Sequence, residues 1–275
     1  MADIMQRIGF MQGRLSPIVG ERIQAFPREV WAEEFSIARD YKIRNIEWTI
    51  DSLTFHSNPL IQEKEHERIR GLAHENFLKI PSVTCDYFME NPHWAPNGVD
   101  IERHINQILE GMNQIGASIL VIPLVDNSSI RNNPSLDLNF FLNMESVLDR
   151  LGIRVAFEVD LDEEDTENFV ANFSPKSYGI NYDIGNSAAY GLDPEKEISK
   201  YGKRIINVHV KDRIRNGSTV PLGKGDADFL KVINQLTKMK YSGNFIMQTA
   251  RAAEGDHAAE LNRNIEYFMK YLTNG

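Results

Sequence analysis

The chain has 275 residues, 42 % of them hydrophobic and 25 % charged, the proportions of an ordinary globular protein with no low-complexity block. A formal net charge of −9 and a pI of about 5.3 repel phosphate backbones and anionic lipid headgroups, so neither nucleic acid nor a membrane surface is expected as a main partner. The longest apolar run, residues 119–125, is too short to span a bilayer.

Short apolar, β-branched runs recur at 7–12, 45–50, 80–85, 118–124, 153–159, 179–184, 205–211 and 244–249. No basic-then-apolar leader precedes the first of them. The third ends in Cys85, the one cysteine of the chain, which forbids an intramolecular disulfide and reads as a packed residue. A reducing cytoplasm is the expected location. Helical spacing fills the intervals. Ile101, Ile105, Ile108, Met112 and Ile115 step by threes and fours around one face, and residues 140–152 and 229–239 repeat the pattern. Gly116, Gly152, Gly202 and Gly243 stand where a helix should stop before the next strand. The run EKEHERIR, 63–70, lacks a second histidine four residues after His66 and reads as a solvated helix face, not a zinc-protease helix.

Strand then helix, eight times over, with near-continuous hydrophobic strands, means parallel β-structure covered on both faces. The first strand is followed by QGRLSP, not by a GxGxxG phosphate loop, which disfavours an open doubly wound sheet. The expected fold is therefore α/β, a closed (β/α)8 barrel forming one domain over residues 1–275. Loop lengths agree. Helix-to-strand links such as 42–44, 116–117 and 202–204 are short, whereas the strand-to-helix links 13–28, 86–98, 125–135 and 212–227 are long. In this architecture the long links build the functional face at the carboxyl ends of the strands.

Polar residues gather at those ends. Glu158 closes the fifth run, Asp183 the sixth and Gln248 the eighth, while His209, Lys211, Asp212 and Arg213 crowd the end of the seventh. Two carboxylates, one imidazole and one amide oxygen from four consecutive strands suit a single Mn²⁺, Mg²⁺ or Co²⁺ ion, with Zn²⁺ a weaker fit. Buried together without a cation, Glu158 and Asp183 would be costly. Arg14, Lys211, Arg213 and Arg251 stand at or just past strand ends as anchors for a phosphate or carboxylate. Glu47 and Trp48 end the second strand. The loop DYFMENPHWAP offers Phe88, His93 and Trp94 as an apolar wall over a bound ring.

The segments AFEV, NYDIGN, HVKD and FIMQ, with the opening GFMQGRLSP and the later PLGKGD, resemble the xylose-isomerase-like TIM barrel superfamily of sugar and sugar-phosphate isomerases and epimerases. The likeness runs from Ile8 to the last helix. It implies a divalent metal held by Glu, Asp, His and a second Glu; Glu158, Asp183 and His209 match, and the fourth position is Gln248. An amide can lend an oxygen but cannot move a proton. The two-base epimerisation that the resemblance implies is thus reduced to one base, Glu158, with Glu47 or Lys211 as replacements for the second. Asn186 stands where many relatives carry a histidine near the metal.

The leading expectation is a metal-dependent isomerase or epimerase of a small sugar or sugar phosphate, acting through an enediol. Arg14, Arg213, Arg251 and Trp94 are its expected substrate contacts. The alternative is a dehydratase of a polyol ketone such as an inosose. A metallo-endonuclease, disfavoured by seven histidines of which only His209 sits late in a strand, and a non-catalytic sugar-binding barrel are the remaining readings. Similar barrels imply a homodimer or homotetramer.

Overall fold

Eight parallel strands close on one another: β1 Ile8–Met11, β2 Asn45–Ile50, β3 Lys79–Cys85, β4 Ile119–Leu124, β5 Arg154–Val159, β6 Tyr178–Asp183, β7 Ile205–Val210 and β8 Phe245–Met247. Their order around the barrel is β1-β8-β7-β6-β5-β4-β3-β2, so every chain neighbour is a spatial neighbour. The computed structural model describes every residue except 1, 21, 23, 93, 95–99, 134–136, 253–254 and 275. His93 therefore lies outside the described residues, as do the loop ends Gly98 and Ser135.

Parallel register fixes which side chains point inward, because alternate residues of a strand share a face. Glu47 pairs with Ser82, Ser82 with Ile119, Val121 with Ala156 and Pro123 with Glu158. Between β6 and β7 the register slips by one residue, so that Asn181 faces Asn207 and Asp183 faces His209. That slip puts all four polar side chains on the inward face, and it carries over to β8, where Ile246 pairs with His209. A small cluster of Ile119, Val121, Ala156 and Ile206 stands apart from the main core. The much larger apolar cluster lies between strands and helices. The inward face is thus apolar around Val121 and Ala156 and polar around Asp183 and His209.

The helix Ile101–Ile115 begins at Asp100, whose carboxylate accepts from Arg103 N at 3.0 Å, and ends on Gly116 at φ 79°, an αL cap that glycine adopts without strain. Gly152 caps the helix Glu145–Leu151 in the same way. Two expected stops are different. Gly202 is right-handed, φ −55°, within a 3-10 turn, and after the helix Phe229–Lys238 the left-handed residue is Lys240, φ 56°, before Gly243. The continuous helix expected over 140–152 is broken into Asn139–Leu142 and Glu145–Leu151. His66 opens the helix His66–Glu75 and is buried, its Nε2 2.8 Å from Leu60 O, so that segment is only partly a solvated face.

Candidate active site

A cavity of about 480 Å³ opens at the carboxyl ends of the strands, a volume suited to a small organic ligand. Glu158, Lys211, Arg213, Gln248 and Arg14 line it. Glu158, Asp183 and His209, all buried, present one ligand atom each within 4.8 Å of one another. The strand ends predicted to converge do so.

The cluster is held from within the barrel. Asn181 Nδ2 donates to Glu158 Oε2 at 2.7 Å and Asn186 Nδ2 to Glu158 Oε1 at 2.7 Å. Asn207 Nδ2 donates to Asn181 Oδ1 at 3.0 Å and to Glu47 Oε2 at 2.9 Å. Glu47 also accepts from Ser82 Oγ at 2.7 Å and stands 2.6 Å from His209 Nε2. Glu47 is fully buried; it orients the imidazole and does not line the cavity. A carboxylate on the far nitrogen of a histidine fixes the ring and raises the basicity of the near one.

The near nitrogen, Nδ1, is 3.3 Å from Glu158 Oε2 and 3.0 Å from Asn181 Nδ2. Burial alone would push the ring's pKa down, but Glu47 and Glu158 outweigh it and raise it to about 10. Without a cation, then, the imidazolium carries the charge that its two carboxylate neighbours need. The amide hydrogens of Asn181, turned toward Nδ1 by Asn207 and Glu47, suit instead a neutral ring with a lone pair there. A divalent cation in place of the proton would keep the ring neutral and still supply the positive charge that the two carboxylates need. Burial would raise the Glu158 carboxyl, yet His209, Lys211 and Asn181 together hold it below its ordinary value, so it is ionised.

Asp183 has one spare oxygen. Its Oδ1 accepts from Asn186 N at 2.8 Å, while the buried Oδ2 accepts no hydrogen bond. Lys211 Nζ lies 2.6 Å from that oxygen, as a charge contact whose angle is not that of a hydrogen bond, and donates to Gln248 Oε1 at 3.1 Å. An ammonium thus bridges two of the four oxygen and nitrogen donors expected of a metal site. A buried carboxylate oxygen that accepts no hydrogen bond and meets only an ammonium, a facing imidazole and a second carboxylate fit a hard divalent cation.

The remaining expected residues separate. Arg213 gives Nη1 to Asn186 Oδ1 at 2.8 Å and Nη2 to Gly217 O at 2.8 Å, and among the described residues it forms no ion pair. Asp212 does not neutralise it, being occupied with the amides of Gly223, Gly225 and Ala227 at 2.8–3.1 Å. A side chain at Gly225 would collide with that carboxylate at 2.2 Å, which accounts for the pairing of HVKD with PLGKGD. Arg14 is buried beside the cavity, and burial with the charge of Arg251 lowers its pKa to about 9. Arg251 itself donates to Ser16 O; Trp94 packs on the core. Neither lines the cavity.

Sequence reasoning missed Asn181, Asn207, Gln24 and Asp86. Asn181 and Asn207 lie two residues before Asp183 and His209, and the inward alternation that selects the ligands selects them as well. Asp86 follows β3 directly, and the same search for polar strand ends would have found it. Gln24 lies in a loop and carries no such signal.

The chain matches the family model described as xylose isomerase-like TIM barrel over residues 35–271. It is 24 % identical over 144 residues to an inosose dehydratase of Lactiplantibacillus plantarum, covering 44 % of this chain and 48 % of that one. It is 33 % identical over 81 residues to an L-ribulose-5-phosphate 3-epimerase of Escherichia coli, covering 29 % of this chain and 28 % of that one. These matches span half or less of the relatives' length. Among solved structures, a D-allulose 3-epimerase from Methylomonas sp. superposes with a TM-score of 0.73 at 12 % identity over 96 % of this chain and 97 % of that one. A 3-keto-D-glucoside 4-epimerase from E. coli gives 0.70 at 17 % over 96 % and 99 %. Identities this low speak to the fold. With the family model covering most of the barrel, the chain belongs to the xylose isomerase-like TIM barrel family.

Proposed function

We propose that the protein is a divalent-metal-dependent isomerase or epimerase of a small sugar or sugar phosphate, moving a proton at the carbon next to a carbonyl. The observation that carries this reading is the convergence of Glu158, Asp183 and His209, the first of them lining a polar cavity, with one Asp183 oxygen that accepts no hydrogen bond. Glu158, Asp183 and His209, with Gln248 as a fourth donor, would hold the ion. Its chemistry there is to polarise adjacent substrate oxygens and lower the acidity barrier of the neighbouring C–H.

The chain's own residues do the rest. Glu158, ionised and fixed by two asparagines, takes the proton. Arg213, with only neutral acceptors, is a ready anchor for a phosphate or carboxylate on the substrate. Lys211 must leave Asp183 when a cation arrives, which frees a second positive charge for the substrate. Gln248 moves no proton, which also favours a second reading: syn dehydration of a polyol ketone, with the same first step at Glu158. The partial identity to an inosose dehydratase supports it.

The test is to load the protein with Mn²⁺, Mg²⁺ or Co²⁺ and incubate it in D₂O with D-allulose, L-ribulose 5-phosphate and an inosose. Expected is deuterium at the carbon beside the carbonyl of at least one, lost on chelation and lost in Glu158→Gln. Conversion without change of mass, apart from the label, marks isomerisation or epimerisation; loss of one water marks dehydration. A Glu158→Gln variant that exchanges as fast as the parent defeats the assignment.

A further inference from the structure

Four consecutive strands, β5 to β8, supply the expected ligands, and the other half of the mouth is built by β1 to β4 and the loops that follow them. Of the carboxyl groups that line the cavity from that half, Asp51 and Glu90 have both oxygens hydrogen-bonded and Asp126 is exposed, which leaves Asp86, among the described residues, as the one that joins an unspent oxygen to a sheltered position. Asp86 follows the last residue of β3, lines the same cavity as Glu158, and accepts from Gln24 Nε2 through Oδ2 at 2.5 Å. Its Oδ1 accepts no hydrogen bond among the described residues. Gln24 in turn accepts from Gln248 Nε2 at 2.8 Å. The amide that stands where the resembled family carries its second carboxylate is therefore joined, through one glutamine, to a carboxyl group at the end of β3.

We infer that Asp86 is the second proton-transferring group of this site, acting on the face of the substrate that Glu158 does not reach. The inference rests on the isomerase or epimerase reading above. In the step, Glu158 takes the proton from carbon and the C–H electron pair enters a new C=C bond as the carbonyl becomes an enediolate. The Asp86 O–H then gives its proton to that carbon from the opposite side, the C=C pair forms the new C–H bond and the carbonyl returns. The cycle leaves Glu158 protonated and Asp86 ionised, and each exchanges one proton with water to reset. No oxidant, reductant or further reactant is consumed.

The environments of the two carboxyl groups are split in the required sense. Burial raises Asp86, the Gln24 hydrogen bond opposes, and the charges of Glu158 and Glu90 raise it further, to about 7; His209 pulls weakly the other way. Glu158 is held down by the cations and amides around it. Two carboxyls in one cavity with acidities driven apart is the arrangement of an acid facing a base. Glu47, fully buried beneath His209, cannot serve, and Lys211 stands on the same half of the mouth as Glu158, at the end of β7.

The experiment uses Mn²⁺-loaded protein in D₂O with D-allulose and L-ribulose 5-phosphate as probes, comparing parent, Asp86→Asn and Glu158→Gln. Expected for Asp86→Asn is deuterium exchange at the carbon beside the carbonyl within a few-fold of the parent, with net epimer formed about 10²- to 10⁴-fold more slowly. Glu158→Gln loses both. Asp86→Asn forming epimer at the parent's rate, or losing exchange and conversion together, overturns the inference. A second measurement does not depend on the substrate: infrared difference spectra between metal-free parent and metal-free Asp86→Asn should contain a protonated carboxyl band at pH 6 that is gone by about pH 8. Absence of that band at pH 6 overturns the inference even if a probe turns over. A parent inert on both sugars with the band present counts against the reading of function and leaves Asp86 as the group holding the proton.

Discussion

The two halves of the barrel mouth are built differently. On the β5–β8 side the charged groups belong to the strands themselves: Glu158, Asp183 and His209 sit at fixed positions in a hydrogen-bonded ladder, and amides one layer below orient them. On the β1–β3 side Glu47 belongs to β2 but lies buried below the mouth, while the charged groups at the mouth hang from loops, and those loops are tied by buried carboxylates. Glu34 accepts from Gly13 N, Leu15 N and Ser16 Oγ at 2.6–3.0 Å and so shapes the turn that presents Arg14. Asp51 accepts from Phe26 N at 2.8 Å and from Thr54. Strand-borne groups are stiff enough to grip an ion, and loop-borne groups can adjust to a substrate.

The strongest blow to this contrast is aimed at Glu47, the carboxylate beneath the ligand half. Glu47→Leu leaves the buried His209 beside one carboxylate instead of two, and breaking a buried pair by removing one partner costs about 3–5 kcal/mol. Urea unfolding of the metal-free protein checks it. The pH dependence sharpens it. His209 rises from an ordinary 6.5 to about 10, so its contribution to stability is fully present below pH 6.5 and is lost as pH climbs through 10. In Glu47→Leu that decline should flatten. An unchanged midpoint together with an unchanged slope would falsify the account of the ligand half.

The loop half should yield less. Glu34→Gln keeps the shape of the side chain but puts an NH₂ against backbone donors, and losing hydrogen bonds to a buried charged acceptor costs about 1.5–3 kcal/mol. The expected outcome is a lower urea midpoint, with the parent's Mn²⁺ affinity retained. Weaker Mn²⁺ binding in Glu34→Gln would mean that the two halves are not independent.

Metal binding offers a smaller, purely electrostatic effect confined to the ligand half. At pH 7 His209 is protonated, so a dication must expel that proton, and apparent affinity should rise about tenfold per pH unit until the pH nears 10. Calorimetry of Mn²⁺ binding in buffers of different ionisation enthalpy reads the released proton directly. No release means that His209 does not ligate through the nitrogen facing Glu158.

The same contrast explains what could be read from the chain. Strand position is written in β-branched runs, and the eight expected runs match the eight strands to within about two residues, the margin inherent in strand ends. Since inward and outward alternate, polar residues late in those runs marked the cluster of Glu158, Asp183 and His209. The slip that brings Asn207 and His209 into phase with Asn181 and Asp183 is not written in any composition signal; it depends on how two strands meet. Loop residues are less legible still. Gln24 reaches Gln248 across 224 positions of sequence, and Arg251 turns away to Ser16. Such contacts follow from loop shapes that local propensity does not specify.

Helix ends supply the finest test of local legibility, on the far side of the molecule from either half of the mouth. Glycine marks a stop where it takes the left-handed conformation, as at Gly116, but Lys240 takes φ 56° in the corresponding place after its own helix. A left-handed residue bearing a Cβ is strained by about 1–2 kcal/mol, and glycine's greater freedom in the unfolded chain returns roughly 0.5–1 kcal/mol of that. Lys240→Gly should therefore stabilise by about 0.5 kcal/mol, whereas Gly116→Ala should destabilise by about 1 kcal/mol. Both are readable as shifts in the urea midpoint at constant slope. Opposite signs at the two sites show that backbone handedness, and not the residue written there, ends these helices; equal signs would mean that side-chain contacts at Lys240 outweigh its strain.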